Sequence, residues 1–435
     1  MRDEISDMPT ALRRDHTHPR PRAGPLRRTR TAGPIATVAD ASRPLAVMTM
    51  VALGFVGINQ AIPSDMMYIL SMYLAVVGIL YAAFMRDPLA GVIILLSIGL
   101  PYVFFDPASR FLDGQYYEVQ LNYGYFEFLN MMIESVKGRV TSGDNQIRGA
   151  FLVMIYPFLK VDAIFENFKF VPYNSLLIFG CAVVLRLLAS DFCERHNMAA
   201  HGPLVAKLTF YAFLLSPTSI FFSADLLKDQ TSMFTVLLST LLFVRRRYVL
   251  FALVVLAASL VRSYNPLTIA CFILAVDRPK KIYLLGGGVL LLGLLALVRG
   301  SPAAVVNMVA SSVYVYVNPL PIRLSNWLPP VTLLTLQGVV FSVAWVGAMY
   351  QLFDARSRRM GLDRLTIAIA LFGCILIAVG YNNAVNFNET EYGIGTGGDN
   401  MTRKCFPILP LICMQLSIVV ARFARQQQAG RFMTK

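Results

Sequence analysis

The chain has 435 residues, of which 56% are hydrophobic and only 15% charged, against roughly a quarter charged in an average soluble domain. That balance excludes a soluble enzyme, because apolar runs near the ~20 residues that cross a bilayer core recur from Pro44 to Arg422. The net charge of +14 would point to nucleic acid in a soluble chain; in a polytopic membrane protein the positive-inside bias produces it, and nucleic-acid binding is discounted.

In chain order, residues 1–43 carry nine Arg and almost no apolar periodicity, which reads as a disordered basic tail held in the cytoplasm. The run from Pro44 then acts as a signal anchor. Twelve spans are expected, at about 45–63, 66–85, 88–105, 173–190, 204–222, 230–244, 248–263, 265–276, 282–298, 332–353, 365–381 and 405–422. The expected fold is therefore all-α and polytopic: a transmembrane domain over 44–422, a short tail over 423–435, and both termini on the cytoplasmic side of a bacterial inner membrane. With each span-end charge assigned to its nearer face, Lys and Arg divide 27 to 12 in favour of the inner side, while acidic residues divide 11 to 14. Arg245-Arg246-Arg247, the run from Asp277 to Lys281 and the run from Asp354 to Arg364 each fall on an expected cytoplasmic turn.

Three irregular stretches emerge on the exterior face. The first, Asp106 to Pro172, includes an amphipathic segment from Gly149 to Phe168 that reads as a re-entrant or interfacial helix, since a thirteenth span would invert everything downstream. It also mixes Asp113, Glu118 and Glu127 with Tyr116, Tyr117, Tyr123, Tyr125 and Phe126. Aromatic faces beside carboxylates hold sugar rings, and they also build interfacial belts. The second stretch runs from Arg299 to Val331 and the third from Asn382 to Lys404, the latter glycine-rich and suited to a ligand-shaped loop.

The string from Leu215 to Phe234, LSPTSIFFSADLLKDQTSMF, places Asp225, Lys228 and Asp229 in a polar turn between two spans. Ionisable groups at membrane depth cost at least ~2.5 kcal/mol each and face a polar cavity or a partner; the same residues also fit a helix-capping turn that neutralises itself. In LVRSYNPLTIACF, Arg262 sits at the outer end of one run and Pro266 opens the next. A guanidinium there holds phosphate oxygens bidentately, or snorkels to lipid phosphate. Arg323, Arg403 and Lys404 share its face in the other irregular stretches, where positive charge is otherwise sparse.

The six cysteines form no C-x-x-C pair, and His16, His18, His196 and His201 accompany no H-E-x-x-H. Neither a disulfide framework nor a metal site is indicated, and no cofactor is expected.

The order of an apolar span, S-P-x-x-I-F-x-S-A-x-L-L-K-D (Ser216 to Asp229), another span, R-R-R, a span and R-S-Y resembles the multi-pass polysaccharide polymerases of bacterial capsule, O-antigen and exopolysaccharide clusters, the Wzy and EpsG-like group. The element N-x-x-R-x-x-x-P-x-x-P at Asn400, Arg403, Pro407 and Pro410 is similar to theirs as well. The resemblance spans roughly residues 88–422 in layout; related lipid-linked glycosyltransferases share the K-D turn. It implies an enzyme that joins oligosaccharide repeat units carried on undecaprenyl diphosphate at the outer face of the inner membrane, with membrane lipid, a flippase and a chain-length regulator as candidate partners. Because the leaving group is already a diphosphate, the reaction needs cations rather than a general acid or a bound metal. Lys228, Arg262, Arg323 and Arg403 are the candidates for holding it, and Asp225, Asp229, Asp113 and Glu391 compete as the base that deprotonates the attacking hydroxyl.

Three alternatives stand beside it. A lipid-phosphate-sugar glycosyltransferase is expected to carry acidic residues in a long exterior loop after its first span, where this chain has only Ser64 and Asp65. An O-antigen ligase is expected to show an exterior histidine, whereas all four fall on the inner side. A twelve-span transporter or flippase is expected to have paired halves and broken helices.

Overall fold

The structure, a computed structural model, describes residues 34–61, 67–105, 112–121, 123–136, 150–159, 170–262, 264–277, 316–317, 321–322, 324–328, 332–353, 361–373, 403 and 406–433. All regular structure among them is helical. The chain divides into two compact units, Met1–Val47 and Met48–Lys435. The described part of the first is the helical backbone that opens α1 (Pro34–Ala61). That helix starts inside the stretch read as a disordered tail, with Pro34 in its first turn, where a missing N–H costs nothing.

In the second unit α2 (Met67–Phe84) and α3 (Pro88–Phe104) pack on each other, followed by three short helices, α4 (Leu112–Leu121), α5 (Tyr125–Val136) and α6 (Ala150–Ile155). The amphipathic segment expected over 149–168 is thus helical only as α6 before the turn at Pro157, and its residues from 160 onward lie outside the described set. The aromatic residues of the first irregular stretch divide: Tyr117 is buried edge-on against Phe151 at 4.7 Å, whereas Tyr123 and Phe126 are exposed. Tyr117 therefore belongs to the packing rather than to a sugar platform.

The centre is built from α7 (Phe170–Arg195), α8 (Gly202–Leu214), α10 (Lys228–Val244) and α15 (Leu409–Met433), with α7 lying between α8 and α10 and α15 against α8. The single span expected over 204–222 is broken. Pro217 has no N–H and forces Ser216 into extended backbone (φ −61°, ψ 122°), so the chain stops at Leu214 and restarts as the six-residue α9 (Pro217–Phe222). Around this centre lie α11 (Tyr248–Val261), α12 (Asn265–Val276), α13 (Thr332–Phe353) and α14 (362–373). The stretch read as a C-terminal tail continues α15 to Met433, being rich in Ala, Arg and Gln.

Polarity runs inside out. Leu253, Leu256 and Leu260 on α11, Val343 and Val346 on α13 and Val92 on α3 are exposed, while Asn174, Asp229, Gln230, Ser232, Ser239, Thr240 and Asn265 are wholly buried. By length and composition two helices among the described residues, Phe170–Arg195 and Phe406–Phe423, are long and apolar enough to cross a membrane, and six shorter apolar helices accompany them. The span expected at 282–298 and residues 374–381 of that at 365–381 fall outside the described residues, while 365–373 form the greater part of α14.

Three turns at the ends of α2, α7 and α10 share one device. Arg86, Asn197 and Arg246 take left-handed backbone (φ 53°, 60° and 58°), and the N–H groups of Asp87, Met198 and Arg247 reach back to Ala82, Cys193 and Leu242 carbonyls at 2.7–3.0 Å. Orphan helix-end carbonyls are thereby satisfied. Ion pairs tie the ends of α7, α10 and α12 together: Arg245 clamps Asp191 through two bonds of 2.9 Å, and Arg195 bonds Asp277 at 2.5 Å.

Candidate functional site

At the opposite end of α10 the chain must turn between α9 and α10. The carbonyls left over at the end of α9 are taken up by two buried amides. Gln230 Nε2 donates to Phe222 O at 2.5 Å, and Asn174 Nδ2, from α7, donates to Ser223 O at 3.0 Å and to Asp225 O at 2.7 Å. Asp225, itself buried, accepts the Leu226 N–H at 2.7 Å. The backbone of α4 comes close here: a Cβ added at Gly114 would lie only 2.7 Å from Asp225 Cγ. Gly114 follows Asp113 in the chain, so the first irregular stretch meets the K-D turn; the Asp113 side chain is outside the described set.

Asp229 stands in the first turn of α10, where the helix N-terminus favours an anion. It is fully buried and accepts from two guanidinium groups. One oxygen bonds Arg262 Nη2, and the other accepts Arg403 Nε at 2.7 Å. The two arginine side chains are 10% and 11% exposed, so the group is a largely buried triad of two cations and one anion. Lys228 adds a further positive charge beside it.

Each member is held by its own support. Arg262 lies in the turn between α11 and α12; its Nη1 bonds the Tyr264 hydroxyl and its guanidinium packs over the same ring, 5.4 Å from the centroid. Asn265 braces that turn, donating to Ala258 O at 2.8 Å and accepting from Ser232 Oγ at 2.8 Å. Ser232 is three residues after Asp229 on α10, hence on the same face, so the two residues make parallel rungs to one turn. Arg403 precedes the 3-10 turn Phe406–Ile408 that leads into α15, and Phe406 packs on Phe222 of α9 at 6.0 Å.

Five buried polar atoms here have no partner among the described residues: Arg262 Nε, Asn174 Oδ1, Ser175 Oγ, Ser219 Oγ and Gln230 Oε1. Among the described residues no three His, Cys, Asp or Glu side chains gather as a metal site.

Of the residues read from the sequence, the structure joins Asp229, Arg262 and Arg403 directly and sets Asp225 and Lys228 in the same turn. Arg323 and Glu391 lie outside the described residues. Asn174, Gln230, Ser232, Tyr264 and Asn265 are the further contributors. Their signal is amides and hydroxyls inside otherwise apolar runs, where burial demands a partner. No protein family, characterised protein or solved structure matches the chain.

Proposed function

We propose that the chain is a polytopic inner-membrane glycosyltransferase that polymerises oligosaccharide repeat units carried on undecaprenyl diphosphate. One observation carries this reading: Arg262 and Arg403, from turns far apart in sequence, converge on one buried carboxylate, in the turn that also holds a second buried carboxylate, Asp225. Charge-assisted donors in a largely buried site are what a departing diphosphate requires.

The reaction written on these residues balances as follows. A hydroxyl of the incoming lipid-linked unit attacks C1 of the growing chain's reducing-end sugar. The C1–O bond to the diphosphate breaks, the hydroxyl proton passes to Asp225, and undecaprenyl diphosphate leaves with its charge held by Arg262, Arg403 and Lys228. Asp229, committed to two guanidinium groups, is the weaker choice for the base.

The membrane setting is supported by the exposed aliphatic faces of α3, α11 and α13, and by α10 itself. Its 17 residues place the triad about 25 Å from Arg245, close to the ~30 Å of a hydrocarbon core. The triple-arginine turn then faces the cytoplasm and the triad the exterior.

A twelve-span carrier is the second reading, favoured by the break between α8 and α9, since interrupted helices line carrier sites. Purified protein in liposomes with a lipid-linked repeat unit separates the two. Longer chains and released undecaprenyl diphosphate uphold the polymerase. Unchanged length with altered sidedness upholds the carrier, and elongation only from a lipid-monophosphate sugar upholds the other glycosyltransferase class.

A further inference from the structure

We infer that Asp229 is a positioning residue that stands in for the anionic ligand, holding Arg262 and Arg403 in register before substrate binds and yielding a guanidinium when a diphosphate enters. The inference rests on the reading of the triad as a diphosphate site.

The donor arithmetic supports it. A guanidinium offers five N–H donors, and Asp229 offers two oxygens, each already engaged by one arginine. Arg262 spends Nη1 on Tyr264, and its Nε is buried with no partner among the described residues. Arg262 thus keeps a buried donor with no acceptor among the described residues, and the triad carries a net charge of one positive. A buried donor left unpaired is costly, and two guanidinium groups sharing a largely buried pocket need a counter-charge. Asp229 supplies the minimum: one negative charge, with a bond to each arginine. A diphosphate brings more charge and more oxygens than the carboxylate it competes with. Arg262 and Arg403 come from different turns, and Asp229 is the side chain shown joining them, so it sets their spacing before the ligand arrives.

The test uses the full chain in detergent micelles with inorganic pyrophosphate as probe and sodium chloride at matched ionic strength as control. In Asp229→Asn the apparent Tm falls, and pyrophosphate raises it by about twice the shift it gives wild type, because the anion replaces the missing charge. Asp229→Asn/Arg403→Gln restores the charge balance, so its Tm lies above that of the single variant and its pyrophosphate shift is lost. Equal pyrophosphate shifts in wild type and Asp229→Asn, or a double variant no more stable than the single one, overturn the inference. Should Asp229→Asn fail to fold, the double variant alone decides, and its failure to fold also overturns it. A farnesyl diphosphate arm identifies the source: a larger shift than pyrophosphate supports a lipid-linked diphosphate, and an equal one supports a free diphosphate on the same guanidinium pair. Chain elongation is read separately, so a pyrophosphate effect without elongation defeats the polymerase and leaves the stand-in role intact.

Discussion

Arg403 Nε donates to Asp229 Oδ2 at 2.7 Å across 174 residues of sequence, tying the segment before the last helix to the first turn of α10. Everything proposed about the chemistry follows from that closure, because it converts scattered charges into one buried site.

The brace beneath the triad is the first place to test it. Ser232→Ala leaves Asn265 Oδ1 buried without its donor, at a cost of about 1–3 kcal/mol. The apparent Tm in detergent falls accordingly. Because both side chains serve one bond, Ser232→Ala/Asn265→Ala loses less than the sum of the two single variants.

Asp225→Asn is expected to reduce the elongation rate by about 10²–10⁴-fold, the usual scale for losing a general base. The KM for the lipid-linked donor stays near the wild-type value. Steady-state kinetics on liposomes make the comparison, and a KM that rises while kcat holds would move Asp225 from the base to the binding set.

Gly114→Ala brings a methyl group against the Asp225 carboxylate, so either α4 or the K-D turn must shift. Elongation is expected to fall in this variant, whereas Gly99→Ala, with open space at its Cβ, keeps wild-type rates. The pair is read in one assay alongside circular dichroism.

At the other end of the bundle Asp87 lies between α2 and α3. Burial pushes its carboxyl upward, but hydrogen bonds from Tyr211 and Lys207, the Lys207 charge and the Ala90 N–H outweigh that, and the net value is lowered. A lowered folded value means a contribution to stability that is fully present above the unfolded carboxylate range near pH 4 and is lost as pH falls through the folded value. Thermal unfolding followed from pH 6 to pH 3 should therefore show a steeper acid loss in wild type than in Asp87→Asn.

Much of this site was legible before any fold was known. Asp225, Lys228 and Asp229 stand out because charges inside apolar runs are expensive, and Arg262 and Arg403 because cations are sparse on that face. Their convergence in one pocket was an expectation, but the pairing was not legible: residues 229, 262 and 403 lie in three separate turns, and no periodicity reports which carboxylate meets which arginine. Asn174 and Gln230 were missed because a lone amide, beside apolar residues or beside the charges of the K-D turn, looks like noise until the carbonyls it caps are visible. The broken helix at Ser216 was hidden for a different reason. Ser216-Pro217 carries the mark of a helix stop, since the residue before a proline is pushed out of helical backbone, but the apolar residues on both sides make the run read as one span.

The most direct measurement is chain length made from a lipid-linked repeat unit by purified Arg262→Ala and Arg403→Ala in liposomes. Both variants are expected to stay folded in the membrane and to lose elongation by about 10²–10³-fold, the scale for removing one preorganised donor from a developing anion. Polymer of wild-type length and rate from either variant would contradict the claim that these two arginines hold the departing diphosphate.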